Sequence, residues 1–496
     1  MPPELVLFIC VLFILWLFAK DRQWRKGISI ALWVPVAWVV ILGSRPISTW
    51  FGFRLQVESN DFYREGSPFD RSVFLVLIVA GLFILLKRRV NWRNIALKNK
   101  ALIAYFCYLG LSVLWADSSF VSFKRWIKDL GNIIMVLIIL TEADPIEAVK
   151  TVFARCSYLL IPLSLVFIKY YPDIGRYYNR WTYEPYLGGV TTNKNLLGMT
   201  LFVCGVMLFW AVVELRGWKV QSRNKTEVCC YLSLLLMCGW LLFVARSSTA
   251  LVCTALGTCI ILGMRSPAIR SKVKRLGVYS FVGLLFLLTL HATFDLGGVF
   301  VQILGRDATL TGRSDIWKTL LSEKINPLIG VGFLSFWWND RTDKIFEHYG
   351  FHLNEAHNGY LETYLNTGLI GLLLLLVVLA SAIQNVRRDV IAGSAYGALR
   401  FAFLIATVAY NWTEAAFDRL DLVWFVMLLV IVEYPRARKA EYKRIRSETG
   451  YGAGFPEPVS ALTGNSAVVV ERAVGGLAAE QRQVIQGSLL LSRRGS

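Results

Sequence analysis

Apolar runs separated by short polar links set the pattern of this chain. Leu5–Ala19, Ser72–Leu86 and Leu369–Leu379 approach or reach the ~20 apolar residues that cross a bilayer as a helix, and about thirteen such runs can be marked. After Leu5–Ala19 come Ile28–Leu42, Ser72–Leu86, Ala101–Ala116, Leu130–Leu140, Ala148–Ile168, Leu196–Leu215 and Val228–Val244. Ala250–Gly263, Gly277–Thr289, Gly368–Ile383, Ala395–Tyr410 and Leu422–Tyr434 complete the series. The first run has no basic residue before it and no small-residue cleavage site after it, so it reads as a retained helix and not a signal peptide. The pattern predicts an all-α polytopic membrane domain over residues 1–434. Residues 435–496 differ in kind: a basic juxtamembrane segment leads into an Ala/Gly/Ser/Arg-rich stretch with little periodicity, expected to be a cytoplasmic, mostly disordered tail.

Composition agrees with the pattern: mean hydropathy is +0.51, and 55% of the 496 residues are apolar. The formal charge of +19 raises nucleic acid as a partner, but its distribution argues otherwise. Lysines and arginines gather at Lys20–Lys26, Lys87–Lys100, Arg216–Lys225, Arg265–Arg275, Arg387–Arg388 and Arg436–Arg446. These are alternate helix boundaries, as the positive-inside rule requires of cytoplasmic links. The N-terminus, residues 44–71, residues 169–194 and a large loop over 297–367 then face outward. The acidic link Thr141–Pro145 lacks the expected basic residues, a gap in this scheme. Six aromatic residues between Tyr170 and Tyr183 fit an interfacial belt, or a surface on which sugar rings stack. All nine cysteines fall within predicted helices and none is spaced with a histidine as a metal ligand, so a zinc site or disulfide framework is not expected.

A loop as long as 297–367 is unnecessary for joining two helices, which makes it the place to look for chemistry. Three of the four histidines, His348, His352 and His357, lie in it. Asn354 or Asn358 is suited to cap a short helix ending at Gly368, with His357, Leu361 and Tyr364 along one face. Histidine titrates near neutrality and suits a general base that takes a proton from a hydroxyl. Alone it has no specific signature, and a surface histidine without a role is the plainer reading. Arg246 occupies a very short turn followed by the hydroxyl residues Ser247, Ser248 and Thr249, candidate caps of the next helix. Arginine beside a helix N-terminus makes an anion site. Arg313, at a predicted helix start capped by Ser314 or Asp315, and Lys194, at an outer helix entrance, repeat the theme. Snorkelling to the interface is the alternative for each. Asp315, Glu347, Glu355 and Glu362 raise a glycosidase-like acid pair, without a spacing that defines one. Walker A, dinucleotide-binding and HExxH motifs do not occur.

Taken together, Thr311-Gly312-Arg313, Trp317, Pro327-Leu328-Ile329-Gly330-Val331-Gly332, His357-Asn358-Gly359-Tyr360-Leu361 and Gly368-Leu369-Ile370-Gly371 resemble the signature of the O-antigen ligase/polymerase family. Val190–Gly198 resembles an element of its exopolysaccharide polymerase branch, and Ala245–Leu251 another shared turn. The resemblance implies a glycosyltransferase C-type membrane fold, a glycan donor on undecaprenyl pyrophosphate, and no need of cofactor, metal or nucleotide. His357 matches the family's proposed base, and Arg246 and Arg313 match arginines thought to hold pyrophosphate. The expected site is therefore catalytic His357 with Arg246, Arg313, Lys194 and Asn358 binding substrate, at the periplasmic face of a bacterial inner membrane. The expected activity is inverting polymerisation of lipid-linked repeat units, with a glycan acceptor and a chain-length regulator as partners and no nucleic acid. Ligation of glycan to lipid A–core is the alternative within the family. A flippase or exporter without catalysis is the alternative outside it.

Overall fold

The computed structural model describes residues 2–25, 27–52, 67–88, 90–178, 185–216, 223–275 and 313–434, apart from 339, 340, 342, 344, 346–352 and 354. Of residues 216, 223, 224, 313, 314 and 338 it describes the backbone alone. Residues 1–440 belong to one compact unit; the other, 441–496, lies outside the described residues, as do His348, His352, the predicted helix Gly277–Thr289 and the loop segment 297–312.

The described chain is helical apart from one two-stranded ribbon, β1 (Arg176–Tyr178) against β2 (Pro185–Leu187). The principal helices are α1 (Pro3–Trp24), α2 (Trp33–Leu42), α3 (Pro68–Lys87), α4 (Lys100–Ser112), α5 (Ser119–Leu140) and α6 (Pro145–Tyr170). After the ribbon follow α7 (Lys194–Arg216), α8 (Arg223–Ala245), α9 (Ser248–Gly263), α10 (Arg313–Ser322), α11 (Gly359–Ile391), α12 (Ala395–Tyr410) and α13 (Leu422–Ile431). Apart from Gly277–Thr289, each apolar run predicted from the sequence coincides with one of these helices. Six of them, α1, α3, α6, α7, α8 and α11, are long and apolar enough to cross a membrane, and α9 with the short helix after it, bent by 102°, makes a seventh if counted as one span. Of the other runs in the expected thirteen, Gly277–Thr289 lies outside the described residues, Ile30–Leu42, Lys100–Trp115, α12 and α13 are apolar but only 10–17 residues long, and α5 carries Lys124, Arg125, Lys128 and Asp129 in its first half.

Burial separates the centre from the rim. In α6 and α7, 83% and 78% of the apolar window is covered by protein, against 17% in α1 and 22% in α3. All ten residues of α13 are buried. The outward faces of α1 and α3 present large apolar side chains such as Phe8, Leu12, Leu15, Val76, Val79 and Phe83, which suits a hydrocarbon exterior.

Hydrogen bonds between distant links sort those links into two groups. Arg25 joins Glu147 and Glu227, and Arg88 joins Ser29, Thr141 and Glu142. Arg45 donates to the carbonyls of Ile174, Gly189 and Thr191, Ser118 bonds Ser335, and Arg341 pairs with Asp117. The first group consists of basic links assigned to the cytoplasm together with the acidic link at 141–145, the second of links assigned outside. The acidic link at 141–145 is accounted for: Glu142 neutralises Arg88 from the neighbouring link, and Asp144 caps α6 by accepting from the N–H groups of Ile146 and Glu147.

Candidate active site

The site is built on a break in α11. Gly368 adopts φ 65°, ψ −167°, so the helix stops after Thr367 and restarts at once. A helix broken in an apolar setting needs new partners for its freed backbone groups. The segment Asn326–Gly332 supplies them: Val331 and Gly332 N–H donate to the carbonyls of Leu365 and Asn366 (3.2 and 2.7 Å), and Leu369 and Ile370 N–H donate to Pro327 and Leu328 (2.9 and 3.0 Å). This contact explains two glycines of the motif. A Cβ at Gly330 would stand 2.5 Å from the Asn366 carbonyl, and one at Gly368 2.3 Å from that of Leu328, and both residues have positive φ. The predicted terminator role of Gly368 thus holds, within a longer helix than expected.

Asn358 caps the N-terminal part of α11. Its Oδ1 accepts from Tyr360 and Leu361 N–H (both 3.0 Å), and its Nδ2 donates to the Trp412 carbonyl (3.4 Å). The carboxamide is therefore engaged by backbone on both its oxygen and its nitrogen. His357 is not on the helix with Leu361 and Tyr364. It lies just before the cap with φ 50°, because the chain must turn sharply to enter α11. Glu362 reaches back to hold this turn, accepting from Ala356 N–H (2.9 Å) and the Trp337 indole (2.7 Å), while the Trp317 indole donates to the Ala356 carbonyl (2.8 Å).

The His357 imidazole is half-buried. Its Nδ1 lies 3.0 Å from a Glu355 oxygen and 3.3 Å from a Glu414 oxygen, and Arg419 pairs with the other oxygen of Glu355. Ionised carboxylates only accept hydrogen bonds, so Nδ1 carries a proton. Burial opposes the charged ring, but the hydrogen bonds and charges of Glu355 and Glu414 outweigh it and raise the imidazole to about 9. Burial likewise pushes the Glu355 carboxyl up, and Arg419 with His357 pulls it down to about 2. Nε2 makes no hydrogen bond with the described residues, which leaves it to a ligand. Glu355, His357 and Glu414 present ligand atoms within 4.8 Å of one another, a geometry that can hold a cation. Arg419 and the imidazolium already supply positive charge to both carboxylates.

The other expected residues fall at different distances from this centre. Arg246 sits exposed at φ 50° between α8 and α9 and forms no ion pair or hydrogen bond with the described residues. Contrary to the sequence expectation, the hydroxyls after it do not cap α9. Ser247 makes no capping bond, and Thr249 Oγ1 instead meets Thr413 Oγ1 (2.8 Å), next to Glu414. The hydrogen bond thereby ties the start of α9, just after Arg246, to the link that carries Glu414. Lys194 opens α7 with Nζ 4.6 Å from the Tyr186 ring centroid. One turn on, a Cβ at Gly198 would lie 2.7 Å from the Ser247 side chain, so this helix start packs on the Arg246 turn. Arg313 begins α10; its side chain lies outside the described residues. Asp315 lies in the first turn of α10 and pairs with Lys318 on the surface, Glu362 is engaged structurally, and Glu347 is outside the described residues; of the four acids singled out in the sequence, Glu355 is the one that meets His357.

Among the described residues, four non-glycine residues have positive φ: Arg246, Leu334, His357 and Asp418. All four belong to this end of the bundle, where such conformations cost of order 1–3 kcal/mol each and persist only when the surroundings enforce them. Residues 232–376 match the model of a family described as O-antigen ligase, which takes in Arg246, Arg313 and His357. A 302-residue alignment to ExoQ, an exopolysaccharide production protein of Rhizobium meliloti (strain 1021), shows 26% identity over 57% of this chain. Both likenesses support the resemblance to the O-antigen ligase/polymerase family. The alignment spans 63% of the length of that curated relative. Glu414 and Arg419 lie beyond the matched family segment and were missed in the sequence. The one signal there is a link between two apolar helices, residues 411–421, that carries three acids and an arginine without being a basic cytoplasmic link.

Proposed function

We propose that this protein polymerises undecaprenyl-pyrophosphate-linked repeat units into exopolysaccharide or O-antigen at the periplasmic face of the inner membrane. The observation that carries the reading is the His357 ring, held at Nδ1 by Glu355 and Glu414 with Nε2 open. An imidazole oriented by a carboxylate is the arrangement by which a ring nitrogen takes a proton from a hydroxyl. His357 Nε2 removes the proton of an acceptor sugar hydroxyl. The oxygen attacks the anomeric carbon of the donor glycan, the bond from that carbon to the pyrophosphate breaks, and undecaprenyl pyrophosphate leaves with the electron pair. Attack opposite the leaving group inverts the anomeric centre. Arg246 and Arg313 bind the pyrophosphate and stabilise the charge it gains. Two lipid-anchored partners confined to one plane supply orientation.

The similarity to an exopolysaccharide production protein favours polymerase; the family description as O-antigen ligase supports the second reading, transfer to lipid A–core. Against an exporter, Arg155 and Arg400 inside the helices are buried and paired with Asp21 and with Asp389 and Glu433. The test is purified protein with lipid-linked repeat unit in the presence of a divalent-cation chelator. A ladder of products is expected from a polymerase that needs no metal. A single transfer to added lipid A–core establishes the ligase, and no product under either condition sinks both.

A further inference from the structure

The link from α12 to α13 is buried nearly throughout: Asn411, Glu414, Ala415, Ala416, Phe417 and Asp418 are all shielded. Trp412 is the exception, 62% exposed. Its backbone is fixed on both sides. Asn411 Oδ1 accepts from Ala416 and Phe417 N–H (2.8 and 2.9 Å), the Trp412 carbonyl accepts from Asn358 Nδ2, and Thr413 is bonded to Thr249. The indole itself forms no hydrogen bond and no ring stack with the described residues. It therefore stands unpartnered on a rigid link, between the Arg246 turn on one side and the cap beside His357 on the other.

We propose that Trp412 is a sugar-stacking residue, and that its indole face receives one pyranose ring of the lipid-linked oligosaccharide. Sugars present apolar C–H faces, and the electron-rich face of an indole is a large, nearly rigid surface for them. Because the link is already ordered, little freedom is lost on binding. An interfacial belt also exposes tryptophan, but it does not require one placed two residues from Glu414 whose backbone carbonyl accepts from the residue after His357. The proposal rests on the glycan-transfer reading above and names the contact that would hold the glycan there.

The test uses full-length protein carrying 5-fluorotryptophan and His357→Ala to prevent turnover, with the Trp412 fluorine resonance assigned by its loss in Trp412→Phe. Undecaprenyl-pyrophosphate-linked repeat unit from producing cells is titrated in, and undecaprenyl pyrophosphate without sugar serves as control. The Trp412 resonance should shift with the sugar-bearing lipid alone. In otherwise wild-type protein, Trp412→Leu should raise KM about 3- to 10-fold with kcat nearly unchanged, the scale of one aromatic contact, while Trp412→Phe keeps most of the affinity. Equal shifts with both lipids, no shift, or Leu performing as well as Phe would overturn the proposal. If the wild-type protein transfers no glycan but the resonance still answers to the sugar, the transfer reading fails and this contact stands. If the protein transfers glycan while the resonance stays silent, the contact fails and the transfer reading stands.

Discussion

Two charged clusters lie at opposite ends of the bundle and use the same residue types to different ends. At one, Arg25 is fully buried against Asp21, Glu147 and Glu227, Arg155 joins Asp21 at 2.8 Å, and Lys150 joins Glu214 at 3.1 Å. These side chains come mostly from the regular helices α1, α6, α7 and α8. At the other, Glu355, His357, Glu414 and Arg419 come from links, and among the described residues two of the four non-glycine positive-φ residues are His357 and the neighbour of Arg419, while Nε2 of His357 and the Arg246 side chain have no hydrogen-bond partner. A charge cluster is therefore not a site by virtue of its charges. The closed cluster fastens helices together. The open one leaves reactive atoms unused and keeps strained backbone in place, which has value only if something binds there.

Exchanging the roles of the two clusters is the way to break this comparison. His357→Ala should show the largest effect, a loss of transfer of about 10²–10⁴-fold, the usual worth of general-base assistance. Protein abundance should stay normal and unpolymerised repeat unit should accumulate. Wild-type polymer from this variant would remove the histidine mechanism. Arg25→Ala should do the reverse. It leaves Asp21 with Arg155 alone and Glu227 with the Tyr231 hydroxyl; breaking a buried pair costs about 3–5 kcal/mol, so folded protein should fall while activity per folded molecule is kept. A catalytic defect at normal abundance would make the closed cluster part of the site. Asn358→Ala should have the smallest effect. Loss of a cap costs about 0.5–2 kcal/mol, seen as a lower thermal midpoint with a modest rate loss. A defect as large as that of His357→Ala would put Asn358 in substrate binding.

Much of this was legible in the sequence, and the limit is physical. Helices announce themselves through apolar runs, and Gly368 announced the break because no other residue fits it. Asn358 was readable as one of two candidate caps, with Asn354 the other, and the structure selects it. The closure of the site was not readable, because Glu414 and Arg419 meet His357 and Glu355 across 57 and 64 residues of chain, and no local period encodes such a contact. The conformation of His357 was missed for a related reason. The sequence allowed an extra turn of helix, and tertiary contacts from Glu362 and Trp317 hold the chain in a left-handed turn instead.

The central claim is that His357 acts as a base whose proton affinity is set by two carboxylates, and its pH dependence tests this most directly. With the ring raised to about 9, the imidazolium predominates at neutral pH. The free base, and with it the rate, grows as pH rises through that value. Glu414→Gln removes one of the charges that raises the ring, so the limb should move to lower pH. The measurement is the single-turnover transfer rate of purified protein across the neutral to alkaline range, for wild type and Glu414→Gln. The account predicts a rate that climbs with pH until the ring's value of about 9 is passed in the wild type and reaches its plateau earlier in the variant. A rate independent of pH over that range, or one whose limb is unmoved in Glu414→Gln, would contradict it.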